Sequence, residues 1–163
     1  MLEEIFIETG LKFDSIESID WAKISRYKYL TGEFISKYKD KLYWDIISIW
    51  QILSEDFIRE NQDKVNWSAI SVRQTLSIPF IKEFKNKITW NSIHFSSKQT
   101  SNSIREFKDN INWYYVSKYC KMEEDVIREF KDKVDWTSIF EFQTLSPEFI
   151  EEFKDRSTQV SVS

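Results

Sequence analysis

At 163 residues the chain suits one domain with a continuous core, and at 41% hydrophobic and 17% aromatic it is far too apolar for a disordered protein. Two glycines and two prolines are too few for a sheet protein with many tight turns, so helices joined by short connections are expected. The net charge of -4 comes without a long single-sign block, which argues against a nucleic-acid-binding arm, and the single cysteine, Cys120, excludes an intramolecular disulfide framework.

Residues 1–20 keep an apolar spacing through Ile5, Phe6, Leu11, Phe13, Ile16 and Ile19 but share no register with the rest of the chain, and are expected to form an N-terminal cap. The start, MLEEIFIETG, lacks the basic and long apolar regions of a secretory signal, and no stretch approaches the roughly 18 apolar residues of a membrane span. The expected location is therefore cytoplasmic.

From Trp21 onward the sequence repeats. Trp21, Trp44, Trp67, Trp90, Trp113 and Trp136 succeed one another at 23 residues without a slip; only Trp50 stands outside the series. Three residues after each comes a β-branched apolar residue: Ile24, Ile47, Ile70, Ile93, Val116, Ile139. Fourteen after each comes isoleucine: Ile35, Ile58, Ile81, Ile104, Ile127, Ile150. The predicted repeats are 21–43, 44–66, 67–89, 90–112, 113–135 and 136–158, with a polar tail at 159–163.

Each repeat predicts two short helices. The first runs about nine residues from the tryptophan, and Asp20, Asn66, Thr89, Asn112 and Asp135 stand where an N-cap side chain accepts orphan N–H groups. The second starts after Thr31, Ser54, Ser77, Thr100, Glu123 or Ser146; Ser146-Pro147-Glu148 joins an N-cap serine to a proline at the first helical position. Its apolar residues, 13, 14, 17 and 21 after the tryptophan, form a helical stripe, and Glu60–Lys64, Glu83–Lys87 and Glu129–Lys133 have the spacing of pairs along a helix. Helices this short are marginal alone and must stack on their neighbours. The expected fold is all-α, an α-solenoid of six two-helix repeats of 23 residues with an N-terminal cap, its periodic tryptophans in the core.

The strings Leu53-Ser54-Glu55-Asp56-Phe57-Ile58-Arg59-Glu60 and Arg128-Glu129-Phe130-Lys131-Asp132-Lys133-Val134-Asp135-Trp136 resemble a short tandem repeat of the type W-x-x-I-S-x-x-Q-x-L-S-E-x-F-I-x-E-F-x-D-K-V-[ND]. Such repeats occur in proteins of giant DNA viruses, phages and some bacteria. The resemblance implies interaction rather than chemistry, and suggests an inhibitor that blocks a host or bacterial defence protein by steric occupation, in the manner of an anti-CRISPR. The fourth repeat departs from the pattern: it lacks the leucine 9 residues and the phenylalanine 13 residues after its tryptophan.

Catalysis is not expected. Gly10 and Gly32 are isolated, so no phosphate-binding loop exists, and the carboxylates recur with the repeat where a catalytic acid would be singular. His94 and Cys120 are the sole residues of their types, too few for a metal site, and no cofactor is expected.

Function is expected where the period varies. The positions 1, 5 and 8 after each tryptophan should point outward from the first helix. Ile49, Ile52, Val72 and Phe95 would then form an apolar strip flanked by Trp50 and Arg73, and Tyr114, Tyr119 and His94 complete the candidate binding residues. The competing expectation is that the first helices are buried on two sides. The preferred partner is a protein, with the chain itself a monomer or weak homo-oligomer. The alternative is a nucleic acid held by the second helices through Arg59, Lys82, Arg105 and Arg128 and a neighbouring lysine row, although acidic Glu60, Glu83, Glu106, Glu129 and Glu152 run beside them.

Overall fold

The computed structural model describes residues 1–93, 95 and 100–157. Its described residues are helical and contain no strand. The order is α1 Leu2–Thr9, α2 Trp21–Ser25, α3 Gly32–Lys37, α4 Trp44–Trp50, α5 Glu55–Glu60, α6 Trp67–Arg73, α7 Ile78–Glu83, a 3-10 turn at Trp90–Ser92, α8 Thr100–Phe107, α9 Trp113–Tyr119, α10 Glu124–Glu129, α11 Trp136–Phe142, α12 Pro147–Glu152 and α13 Lys154–Ser157. Every first helix thus begins on its tryptophan. None of these helices is long and apolar enough to cross a membrane.

The helix starts obey capping chemistry. Asp20, Asn66, Asn112 and Asp135 each accept the N–H three residues on; Thr89 and Tyr43 make no such bond. Thr31, Ser54 and Ser146 cap their second helices in the same way. The elements are shorter than the sequence predicts. The first helices end by residue 6 of the repeat because the next residue, as in Gln51 and Gln74, turns extended. The second helices end before the buried Leu42, Val65 and Val134, which lie in turns. Gly10 takes the left-handed conformation at φ 70 that closes α1.

Contacts divide the chain into two compact units: Met1–Gln74 with Phe80–Ile88, and Thr75–Pro79 with the described residues from Thr89 onward. In the first, α2 packs on α4 and α4 on α6; in the second, α9 packs on α11. α1 joins the first unit's core, where Ile5 and Ile19 pack with Ile24, Phe34, Ile35 and Ile47.

The tryptophans are not the deepest residues. All six are half-buried. Each lies on rings of its own repeat: Trp67 is 6.3 Å from Phe80 and 5.0 Å from Phe84, and Trp136 is 6.4 Å from Phe149 and 4.7 Å from Phe153. The indole N–H groups of Trp44, Trp67, Trp113 and Trp136 donate to the carbonyl five residues earlier, and Lys64, Lys87, Lys133 and Arg156 cover the same rings. The isoleucines at 3 and 14 lie deeper: Ile24, Ile47, Ile70, Ile58, Ile81, Ile104 and Ile127 have essentially no exposure. Ile150, at position 14 of the repeat that starts at Trp136, is 46% exposed.

Candidate interaction surface

What joins successive repeats determines what they leave free. Ser25, Ser48 and Ser117, four residues after their tryptophans, are completely buried. Each accepts the backbone N–H of the residue before the next tryptophan, from Tyr43, Asn66 and Asp135, at 2.9–3.0 Å. Ser25 and Ser48 also donate to the carbonyls of Trp21 and Trp44 at 2.7 Å. Seven residues after the tryptophan, Gln51 donates to the Tyr27 and Ser25 carbonyls and accepts from the Leu30 N–H; Gln74 bonds Gln51 and Leu53 likewise. Gln143 does the same to Ser117, Cys120 and Met122. These side chains satisfy backbone groups that would otherwise be buried without partners.

The second helices carry a second set of junctions. Arg59 holds Glu83 at 2.8 Å, Arg105 holds Glu129 at 2.7 Å and Arg128 holds Glu152 at 2.8 Å, each pair 24 residues apart. Lys64–Asp40, Lys133–Asp109 and Arg156–Asp132 run the opposite way at the same separation. The predicted pairs within a helix are replaced by this ladder, because Lys64, Lys87 and Lys133 lie beyond the last helical turn. Hydrogen bonding to Glu83, Glu129 and Glu152 holds the Arg59, Arg105 and Arg128 guanidinium pKa values above their ordinary value.

The outer side of the first helices is free of this bonding. In the first compact unit Ile49 is 38%, Trp50 56%, Ile52 90% and Val72 37% exposed, and Arg73 is also exposed. Ile47 and Ser48 on α4, and Ile70 and Ser71 on α6, have no exposure, so each helix is buried on one side and open on the other. In the second compact unit Tyr114, Tyr119 and Phe142 are exposed around Lys118, whose ammonium lies 5.0–5.6 Å from all three ring centres. Contact with the Tyr114 hydroxyl raises the Lys118 pKa. Phe142, from α11, also belongs to this patch; its position, six after a tryptophan, is the aromatic one that Tyr27, Trp50 and Tyr119 share.

Phe95 does not belong to the exposed strip. It is 3% exposed and stacks on Phe107 at 6.4 Å. After the 3-10 turn Trp90–Ser92 the backbone is extended at Ile93, so helical projection no longer governs residue 95. Ser103 stands where four of the other repeats have phenylalanine and one has valine. His94 lies outside the described residues.

No group of three His, Cys, Asp or Glu side chains among the described residues could hold a metal ion. Cys120 is buried, and desolvation raises its thiol pKa.

The described elements define an all-α protein of recurring short helix pairs. Comparison of the chain with protein-family models, curated proteins and solved structures returned no match.

Proposed function

We propose that the chain is an α-solenoid of six two-helix repeats behind an N-terminal cap, and that it works as a non-catalytic scaffold that binds another protein through the outer side of its first helices. The observation that carries this reading is the exposure of Ile49 and Trp50 on α4, Ile52 just after it and Val72 on α6, adjacent helices whose opposite sides are completely buried. Exposed apolar residues gathered on one surface mark interaction sites, and Trp and Arg are enriched among the residues that dominate binding energy. The Trp-containing repeats that the sequence resembles extend the proposal to an inhibitor that blocks a host or bacterial defence protein by occupying its surface. The alternative nucleic-acid surface is weakened, since Arg59, Arg105 and Arg128 already hold carboxylates.

The test is affinity capture from the native cell by the wild-type chain and by an I49D/V72D variant. Both residues are exposed, so the variant should keep its helical circular dichroism while losing the captured protein. An unchanged set of captured proteins overturns the assignment of this surface.

A further inference from the structure

Charge is sorted between the two kinds of helix. The ten residues that begin at each periodic tryptophan together hold seven cations (Lys23, Arg26, Lys28, Arg73, Lys98, Lys118, Lys121) and two carboxylates (Asp45, Glu141), in a chain of net charge -4. The second helices carry the balancing acid, and their arginines are taken up by it. These segments do not neutralise their own cations: among the described residues, Lys23 on α2, Arg26 and Lys28 just after it, and Arg73 on α6 form no ion pair.

Three of these cations converge. Lys23, Arg26 and Lys28 line an open groove of about 540 Å³ beside α2, with Leu11, Ala22 and Tyr27 as its apolar wall. The groove's carboxylate, Asp20, is engaged as the N-cap of α2, accepting the Lys23 N–H at 2.9 Å. Lys28 also lies over the ring of Tyr29. Arg26, the C-cap of α2, and Ile49 on α4 stand at the same repeat position, and α2 packs on α4, so the cationic groove lies one repeat away from the apolar strip of Ile49, Ile52 and Val72.

We propose that the partner of this surface presents an acidic polypeptide segment with interspersed apolar side chains. Its carboxylates enter the groove among Lys23, Arg26 and Lys28, and its apolar side chains cover Ile49, Ile52 and Val72. The inference rests on the protein-binding reading of the same surface. Complementary charge sets the register and speeds encounter, while the apolar strip supplies burial. A polypeptide fits better than a single-stranded nucleic acid because Ile49, Ile52 and Val72, which make up most of the strip, are aliphatic and give a base no ring to stack on, and stacking carries much of single-strand affinity. Trp50 and Tyr27 are the rings that a single strand would use, and the poly-dT measurement tests them.

The experiment is selection of a random peptide library, of roughly 16 residues per peptide, on the immobilised full chain. Binding is then measured by fluorescence anisotropy, with the selected peptides and with a poly-dT oligonucleotide. Acidic peptides with apolar residues should be enriched, and K23E/R26E/K28E should weaken them by about tenfold or more. The neutral variant K23Q/R26Q/K28Q should fall between, and about 0.5 M salt should reduce binding to the wild type. Circular dichroism confirms that the variants are folded.

Neutral or basic peptides that bind and are lost in I49D/V72D overturn this inference and leave the surface assignment standing. Acidic peptides indifferent to I49D/V72D overturn the surface assignment itself. A poly-dT oligonucleotide that outcompetes every selected peptide, and depends on the same cations, overturns the polypeptide. So does a library that yields no binder.

Discussion

Within the first compact unit, the two helices of a repeat treat their side chains in opposite ways. The second helix uses its charge on its neighbour: Arg59 reaches Glu83, and Lys64, in the turn after the helix, reaches Asp40. The first helix uses its inner side for uncharged seams of isoleucine, serine and glutamine, and leaves cations and apolar residues outside. The difference separates two demands. Side chains that join repeats must recur, because each junction poses the same geometry. Side chains turned outward meet no such demand, so Arg26, Ile49 and Val72 can differ at one repeat position without disturbing a junction. The outer side is therefore where specificity has room to vary.

The sharpest test of that division sets Ile70 against Ile49, two isoleucines on neighbouring first helices. Ile70 is fully buried. Its replacement by alanine should cost about 2–5 kcal/mol in urea-induced unfolding, from lost burial plus the cavity left behind. I49A should change stability by less than about 0.5 kcal/mol. Equal losses would mean that the outer side is framework too.

Gln51 comes next. Q51A removes the amide that holds Leu30 N–H and the Ser25 and Tyr27 carbonyls, leaving buried backbone groups unsatisfied. The expected cost is about 1–3 kcal/mol, with faster hydrogen exchange at Leu30. A Q51A protein as stable as wild type, with Leu30 still protected, would show that the glutamine adapts to the seam instead of forming it.

Much of this was legible in the sequence. The tryptophan period located every first-helix start, and Thr31, Ser54, Ser77 and Ser146 marked second-helix starts, because capping is local chemistry; Thr100 is instead already part of α8, and Glu123 makes no cap bond. The outward positions 1, 5 and 8 come from helical projection; Ile49 on α4 and Val72 on α6 are exposed as it expects, while Ile52 is exposed beyond the end of α4, where projection no longer applies. It failed for Phe95, since the fourth repeat has a 3-10 turn where the others have an α-helix. The partners of Ser48, Gln51 and Arg59 were not legible. Their contacts lie 18, 21 and 24 residues away, and pairing at that range depends on how one helix pair settles on the next. The tryptophans were assigned too deep a place, because a large indole can cover an aromatic cluster while its edge stays in water.

The contact between α1 and Tyr38 has an alkaline pH signature. Tyr38 donates its hydroxyl to Glu4 at 2.8 Å, and burial together with that bond pushes its pKa up to about 12 from an ordinary value near 10. The folded state therefore keeps the proton longer than the unfolded state does. Stability from this group should be complete below pH 10 and be lost as pH rises toward about 12. Y38F should flatten that alkaline loss in unfolding measured across this range. An unchanged alkaline slope would assign it to other groups.

The smallest effect is expected in the ladder. Arg59 bonds Glu83 and Asp56 and lies 5.1 Å from the centre of the Phe80 ring, yet it is exposed to solvent screening. Charge and packing can be separated by two substitutions. R59M keeps an unbranched apolar stem over Phe80, whereas R59A removes stem and charge together. R59M should stay closer to wild type than R59A, and both should lose less stability than Q51A. The wild-type advantage over R59M should shrink at about 1 M salt, where surface attraction is screened. An R59M loss as large as that of Q51A, and unmoved by salt, would make the ion pairs part of the seam. The contrast between a charged second layer and an uncharged first would then no longer separate framework from free surface.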